Sequence, residues 1–362
     1  MGTLGTNIWV FAHLGDLNYL FSFEHSQWWT SDQDLIRMLS LALVNGKFLG
    51  MLAILFGVGL EMKYRQSVRL GRPWPGVYLW ICGILMAEGL IHYLLVMEFD
   101  ILMGYAMAAI IVSFLVRGGE RSMRRGLWWL GSVHLTLITL LSGVILLIQL
   151  DGAEVSLGSM EETIALYQQG SWFEQLSVRL SDFLLLRIEV IFTIPLNVCL
   201  MLLGVRLMRS GAFGDDDKGR SIRSRLMKWG IGLGLPLNLM LLIPGGLFDL
   251  PVRYVFAPLL SLGYIAVIGL VVEKSKQLSI WSWLANTGRM SLSCYVAQNL
   301  LCTVIFYGWG FGLGGQLNAY GVIGMWLLLC LVQIGFATLW LRLFKLGPME
   351  ASRQKVAGLF RA

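Results

Sequence analysis

The stretch AEGLIHYLLVMEFDILMGYA (87–106) contains two apolar runs joined by a short polar turn. Glu88 and His92 are four residues apart, so they share one face of a helix. Glu98 and Asp100 lie where that helix ends and the next one begins. Carboxylate and imidazole groups are costly near hydrocarbon and need a partner or a function there. The stretch therefore predicts two membrane helices that meet at a polar cluster.

The composition of the whole chain indicates a membrane protein. The 362 residues are 56% hydrophobic and 14% charged, with a mean hydropathy of +0.69, whereas a soluble domain carries roughly 25% charged residues. Apolar runs of about 20 residues recur, which is the length that spans a bilayer as a helix. We predict an all-α, polytopic integral membrane bundle that forms a single transmembrane domain over 1–362.

The charged residues and the cysteines argue against a nucleic-acid-binding protein and against a disulfide-bonded or metal-binding one. The net charge of +6 comes from basic residues in short loops between apolar runs, a topology signal that argues against nucleic acid as a partner. The five cysteines lie in apolar runs without CxxC spacing, so we predict neither disulfides nor a metal site.

The apolar runs predict about ten transmembrane helices. They are placed at 1–13, 38–60, 76–97, 101–116, 127–150, 183–205, 229–248, 254–272, 290–311 and 320–341. The first run is too short for a full crossing. Either the apolar segment 19–23 extends it, or Met1 is not the natural start.

Basic residues predict the orientation. Of the 28 Lys and Arg residues, 23 lie in segments on one side of the predicted membrane, whereas the opposite segments hold only Arg37, Arg179 and Arg253. By the positive-inside rule both termini are cytoplasmic, and the chain is a multi-pass protein of the cytoplasmic (inner) membrane with a cytoplasmic tail at 342–362. The acidic outer loop 151–182 is either an amphipathic helix on the outer surface or a solvated linker.

His92 is the first candidate for a catalytic residue. A histidine paired with a carboxylate acts as a general base, and Glu88 or Asp100 would fix its orientation. The alternative is a buried polar network that holds two helices together. His25, in FEHSQWWTSDQDL (23–35), is a second candidate base, unless this segment is simply an aromatic-rich interface loop.

Other polar residues in apolar runs are candidates for substrate binding. Lys47 is predicted near mid-span, too deep to reach water easily, so it pairs with an acid such as Glu88 or meets an anionic ligand. In the sixth predicted span, Arg187 and Glu189 are likewise charged residues that need a partner or a ligand.

The run 286–317 places further polar groups in an apolar span. Tyr295, Gln298 and Asn299 either form interhelical hydrogen bonds or line a substrate path. Arg289, at the inner end of this run, either binds a phosphate or carboxylate or anchors the chain to lipid.

Three ordered blocks resemble the YeiB-like family of bacterial membrane proteins. They are GKFLGMLAILFGVG (46–59), GLIHYLLVMEFDILMGYA (89–106), and GRMSLSCYVAQNLLCTVIFYG (288–308) with LGPME (346–350). The second block matches the family at His92 and Asp100, and its closing Tyr-Ala pair adds Tyr105 to the substrate-binding candidates. Phe99 replaces the usual Gly before Asp100, Ala351 replaces the Trp after Glu350, and only the tail of the family's opening motif is present, which suggests a shortened first span.

The resemblance implies a distant relationship to transmembrane acyltransferases, which include heparan-α-glucosaminide N-acetyltransferase. It implies transfer of an acyl group from a cytoplasmic thioester, such as acyl-CoA, to a small extracytoplasmic acceptor. His92 or His25 would be the base, and Lys47 and Arg289 would attract the donor's phosphates. No bound cofactor is predicted, and the lipid bilayer is the other expected partner.

Two other classes of function remain open. A transporter of an ion or small metabolite would use His92 and its acids as a proton relay. A structural or partner-binding subunit of an envelope complex would need the same cluster only for stability.

Overall fold

The computed structural model describes residues 1–21, 28–152 and 158–359. Within these ranges the regular structure is helical and contains no strand. The α-helices are α1 (Leu4–Ala12), α2 (Asp32–Val44), α3 (Lys47–Arg69), α4 (Val77–Leu95), α5 (Leu102–Arg117), α6 (Gly119–Leu150), α7 (Glu161–Gln169), α8 (Trp172–Ser181), α9 (Phe183–Leu186), α10 (Val190–Ser210), α11 (Asp217–Gly232), α12 (Gly234–Leu239), α13 (Asp249–Pro251), α14 (Ala257–Lys274), α15 (Ile280–Arg289), α16 (Ser291–Phe306), α17 (Ala319–Leu343) and α18 (Pro348–Leu359).

Six helical segments in the described part of the chain are long and apolar enough to cross a membrane. They are Asp32–Arg69, Val77–Leu95, Gly119–Leu150, Phe183–Ser210, Asp249–Lys274 and Ala319–Leu343. The helices α5 and α16 are apolar but shorter, with 16 residues each. The protein is thus an all-α membrane bundle, as predicted. We call the side of the bundle that contains Leu95, the last residue of α4, the outer side. The side that contains Arg69, the last residue of α3, is the inner side, following the distribution of basic residues.

The predicted number of ten spans is not confirmed. The first predicted span is the nine-residue helix α1, which extends for only about 14 Å and cannot cross the membrane. It is buried and packs against α2, α16 and α17. The predicted span 229–248 is not one helix, because α11 ends at Gly232 and α12 ends at Leu239.

The predicted span 38–60 is interrupted at Asn45 and Gly46. Gly46 has a φ of +77°, and a Cβ atom there would lie 2.7 Å from the carbonyl oxygen of Arg253. Glycine permits both the left-handed backbone and this close approach. A new helix, α3, therefore begins at Lys47, so this residue lies in a first helical turn inside the longer segment Asp32–Arg69.

Close contacts at glycines set how the helices pack. A Cβ atom on Gly57 of α3 would lie 1.9 Å from the carbonyl oxygen of Met201, and one on Gly204 of α10 would lie 1.9 Å from that of Ile54. Small residues let membrane helices approach in this way. On α4, a Cβ atom at Gly89 would lie 2.7 Å from the amide nitrogen of Met103, so α4 lies directly against the beginning of α5.

The outer segment 151–182 contains the helices α7 and α8 among its described residues. The indole of Trp172 donates to the carbonyl of Leu95 at 3.0 Å, and Arg179 donates to that of Leu94 at 3.0 Å. The hydroxyl of Tyr93 donates to the carbonyl of Arg179 at 2.8 Å. The bonds from Trp172 and Arg179 satisfy carbonyls that the end of α4 leaves without helical partners, and the bond from Tyr93 does the same for the end of α8.

The C-terminal helix α18 contacts α4 and α16 on the inner side. The carboxylate of Glu350 accepts hydrogen bonds from the backbone amides of Leu292 at 2.8 Å and Ser293 at 3.2 Å. It therefore caps the N-terminus of α16, where the helix dipole favours a negative charge.

Candidate functional site

His92 and Asp100 meet at the outer junction of α4 and α5. The imidazole is 2% exposed, and its Nδ1 atom lies 3.3 Å from Oδ1 of Asp100. The other carboxylate oxygen accepts a hydrogen bond from the amide of Met103 at 2.9 Å, in the first turn of α5. Asp100 is thus held by the backbone of α5 while it faces the histidine of α4.

Two residues of α16 complete the surroundings of His92. The Nδ2 atom of Asn299 lies 3.1 Å from Nε2 of His92, and the ring of Tyr295 packs on the imidazole with centroids 5.0 Å apart. The imidazole is thus oriented with Nε2 toward Asn299 and Nδ1 toward the Asp100 carboxylate. The two sequence blocks 89–106 and 288–308 therefore form one site.

Glu88 does not contact His92, although both lie on α4. Its carboxylate binds Arg353 of α18, with 3.0 Å between Oε2 and Nε. Glu88 lies one helical turn closer to the inner side, where α18 packs against α4. Asp100 and not Glu88 therefore contacts the imidazole, which corrects one of the two predicted partners.

Lys47 has no partner within the described chain. The side chain is fully buried, and its Nζ atom makes no hydrogen bond and no ion pair with a described carboxylate. Pairing with Glu88 does not occur, because Arg353 takes that carboxylate. In the next turn of α3, the carbonyl of Leu49 accepts a hydrogen bond from the hydroxyl of Tyr105 at 2.7 Å.

The remaining predicted residues lie apart from His92. Gln298 donates to the hydroxyl of Thr3 at 3.3 Å and accepts from Gln333 at 3.2 Å, so it bonds three helices together. Arg289 lies at the inner end of α15 and donates to the carbonyl of Lys345 at 3.3 Å. His25 lies outside the described residues.

A cavity of about 380 Å³ lies next to Asp100. Asp100 and Tyr105 are the predicted site residues that line it, whereas His92 is behind Asp100 and does not. The other polar residues of its wall are Thr6, Asn7, Glu98, Arg187, Glu189, Thr193, Asn197, Arg253 and Tyr254. The cavity thus adjoins the His92 site at Asp100, whose side chain is buried in the wall.

Two arginines of the cavity form ion pairs with cavity carboxylates. Arg187 lies 3.6 Å from Asp100 Oδ2 and donates to the Asp100 carbonyl at 2.8 Å. Arg253 lies 3.4 Å from Glu189, which also accepts from the hydroxyl of Tyr254 at 2.5 Å. The sequence interpretation did not select Arg253, although a basic residue on the outer side departs from the positive-inside rule and was a usable signal.

Proteins of two bacteria are similar in sequence to most of this chain. A family model described as "Protein of unknown function (DUF418)" matches residues 207–359. The protein YeiB of Escherichia coli (strain K12) is 30% identical over 325 residues, which cover 84% of this chain and 80% of YeiB. The protein YxaH of Bacillus subtilis (strain 168) is 24% identical over 323 residues, which cover 85% of this chain and 78% of YxaH. No solved structure matches.

The family model and the match to YeiB confirm the resemblance to the YeiB-like family. The YeiB match extends over most of both chains, and the family model covers the last of those blocks. The chain therefore belongs to the YeiB-like, DUF418-containing family of bacterial membrane proteins.

Proposed function

We propose that this membrane protein is an acyltransferase whose proton acceptor is the Asp100–His92 pair. The observation that supports the proposal is the position of Asp100, which lies 3.3 Å from His92 and also lines the cavity. A general base must lie within hydrogen-bond reach of the proton that it removes. Asp100 is the member of the pair that belongs to the cavity wall, where its side chain is buried, and His92 lies behind it.

The proposed reaction transfers an acyl group from a thioester to a hydroxyl or amine. The acceptor's oxygen or nitrogen attacks the thioester carbonyl, a new ester or amide bond forms, and the carbon–sulfur bond breaks. The acceptor's proton passes to the Asp100–His92 pair, and the departing thiolate takes up a proton. Arg187 lies in the cavity wall beside Asp100, where its positive charge would stabilise the oxyanion of the intermediate.

We propose acyl-CoA as the donor, arriving from the inner side of the cytoplasmic membrane. Arg289 is exposed at the inner end of α15, where it is available to a phosphate. Lys47 is buried in the first turn of α3, so its proposed part is limited to the field that it exerts on an anionic group inside the bundle.

The test is acyl transfer in proteoliposomes, with labelled acyl-CoA on the inner side and hydroxyl-bearing acceptors on the outer side. We expect Asp100→Asn and His92→Gln to lower turnover at least ~100-fold, because general bases contribute at least that factor. Glu120→Gln, which changes an exposed inner-side carboxylate, is the matched control. Wild-type turnover in both site variants, with unchanged thermal unfolding, would overturn the assignment.

One observation favours a second function, proton-coupled transport. The cavity wall includes Asp100, whose buried carboxylate faces a buried imidazole, and paired carboxylates and imidazoles occur in membrane proton relays. Uptake that follows a pH gradient, is lost in Asp100→Asn and yields no acylated product would establish transport. Acylated product without a pH gradient would exclude this alternative.

A further inference from the structure

We infer that the cavity beside Asp100 binds an amphipathic anion, whose acidic group contacts Arg187 and Arg253. The inference rests on the proposed function in one respect, because it identifies this anion with the acyl acceptor. The ligand class is a phosphate or a carboxylate attached to a hydrocarbon chain. This ligand class follows from the hydrogen-bond donors and acceptors of the cavity wall.

Arg187 has more donors than its neighbours use. A guanidinium carries five N–H donors. Nη1 donates to the carbonyl of Asp100 at 2.8 Å, and Nη2 lies 3.2 Å from the sulfur of Met103, which is a weak acceptor. The Asp100 carboxylate is 3.6 Å away, beyond a good hydrogen bond. Nε is buried and makes no hydrogen bond with any described residue.

Arg253 shows the same surplus. Its hydrogen bond to the Glu189 carboxylate is long, at 3.4 Å, and its Nε atom has no partner in the described chain. It belongs to a five-residue π-helix, Val252–Phe256, inside the longer helical segment. Such π-helical turns occur frequently at functional sites.

The carboxylates of the wall already have donors. Asp100 accepts from Met103 and faces His92, and Glu189 accepts from Tyr254 and Arg253. Glu98 accepts from the hydroxyl of Tyr167 at 2.5 Å. Among the buried polar atoms of this wall, the Nε donors of Arg187 and Arg253 and the Oδ1 acceptor of Asp100 make no hydrogen bond within the described residues, so unused donors exceed unused acceptors by one. A ligand rich in acceptors, and above all an anion, complements such a wall.

The apolar residues of the wall indicate that the anionic group of the ligand is attached to a hydrocarbon chain. Most of the wall's remaining residues are apolar, including Leu17, Leu20, Leu196 and Leu250. Removing apolar ligand surface from water against these residues is favourable. A small hydrated anion would leave them in contact with water, whereas an anion with a hydrocarbon chain would not. Either a lipid of the bilayer or a free amphiphile supplies this chemistry.

Thermal unfolding of the purified protein in dodecyl maltoside, followed by tryptophan fluorescence, tests the inference. We expect dodecyl phosphate or dodecanoate to raise Tm in a saturable way, and inorganic phosphate at equal concentration to have little effect. Arg187→Gln and Arg253→Gln should each weaken the derived Kd at least about tenfold, the loss expected for a charge-assisted hydrogen bond. Arg206→Gln, which alters an exposed ion pair, should leave the Kd unchanged.

A cavity-filling variant tests the site without removing an ion pair. A Cβ atom at Gly104 of α5 would meet open space, with Asn197 as its nearest neighbour at 3.9 Å. Gly104 lines the cavity, and leucine is a better helix former than glycine. Gly104→Leu should therefore fold and lose the Tm response to dodecyl phosphate. An undiminished response in this variant or in both arginine variants would overturn the inference.

The two possible sources of the anion give different results. Vesicles of phosphatidylcholine with phosphatidic acid, compared with phosphatidylcholine alone, should raise Tm if a bilayer lipid enters the cavity. A response to dodecyl phosphate alone would assign the site to a free amphiphile. Binding without acylation of a hydroxylated probe would overturn the acceptor assignment and the proposed function. Acyl transfer to an uncharged acceptor, with no anion response, would overturn only the inference.

Discussion

Arginines pair with carboxylates on both sides of the bundle, but their surroundings differ. On the outer side, Arg37 and Arg179 have side chains that are 2% and 1% exposed. On the inner side, Arg206 and Arg220 are 39% and 51% exposed. Exposed pairs contribute little to stability, whereas a buried pair that loses one partner leaves an uncompensated charge. Arg179 therefore holds Glu98, a carboxylate of the cavity wall, whereas the exposed inner pairs contribute little; Arg223, 9% exposed, is the inner exception.

The largest effect on stability is expected for Arg179→Gln. The change leaves the buried carboxylate of Glu98 without its cation and removes the hydrogen bond to the carbonyl of Leu94. The expected loss in the free energy of unfolding is about 3–5 kcal/mol. Denaturant unfolding in detergent micelles measures it. The double variant Arg179→Gln with Glu98→Gln should recover part of the loss, and a loss below about 1 kcal/mol in the single variant would contradict the comparison.

An intermediate effect is expected for Arg353→Gln, because its pair with Glu88 is only partly buried. Loss of this charge-assisted bond should cost about 1.5–3 kcal/mol in thermal unfolding. Lys355→Gln, an exposed change two residues further along α18, serves as the control. Equal losses in the two variants would show that the tail contributes through its general charge and not through this pair.

A small effect is expected for Arg206→Gln. Its pair with Glu120 is well exposed to solvent, and such pairs contribute about 0–1 kcal/mol. Unfolding at low and high salt measures the difference, which salt should reduce further. A loss as large as that of Arg179→Gln would remove the distinction between the two sides.

The smallest effect is a local one, at the exposed carboxylate of Glu174. Hydrogen bonds from the backbone amide and the hydroxyl of Ser171 lower the pKa of Glu174. A lowered pKa in the folded state means that this stabilisation is present above the ordinary pKa of glutamate and is lost as the pH falls through the lowered value. Amide exchange at the first turn of α8 should accelerate over that range. Glu174→Gln should remove the dependence, and an unchanged pH profile in this variant would contradict the assignment.

The sequence predicted the membrane helices, and it named Asp100, together with Glu88, as a candidate partner of His92. Apolar runs of bilayer length determine the fold class, and a short turn places the end of α4 beside the start of α5. The sequence predicted two alternative roles for Asn299. The sequence left it either as interhelical glue or as part of a substrate path, and only the packing of α16 showed that it faces His92.

Other features depend on contacts that periodicity does not encode. The residue that binds Glu88 lies 265 positions away on α18, and helix spacing shows only which face Glu88 occupies. The apolar run around Lys47 does not reveal the break at Gly46, which lies against the backbone of Arg253 and makes Lys47 the first residue of α3. The cavity wall combines residues of several helices, so the sequence selected only some of them.

The contact between Glu88 and Arg353 has a consequence for the order of events during synthesis. The 265 residues that separate them take about 13–53 s to translate at ordinary bacterial rates. Throughout that interval α4 has been made, but the cation that binds its carboxylate in the folded protein has not. Glu88 therefore enters the membrane without the cation that binds it in the folded protein, and it pairs with Arg353 only after translation has reached α18.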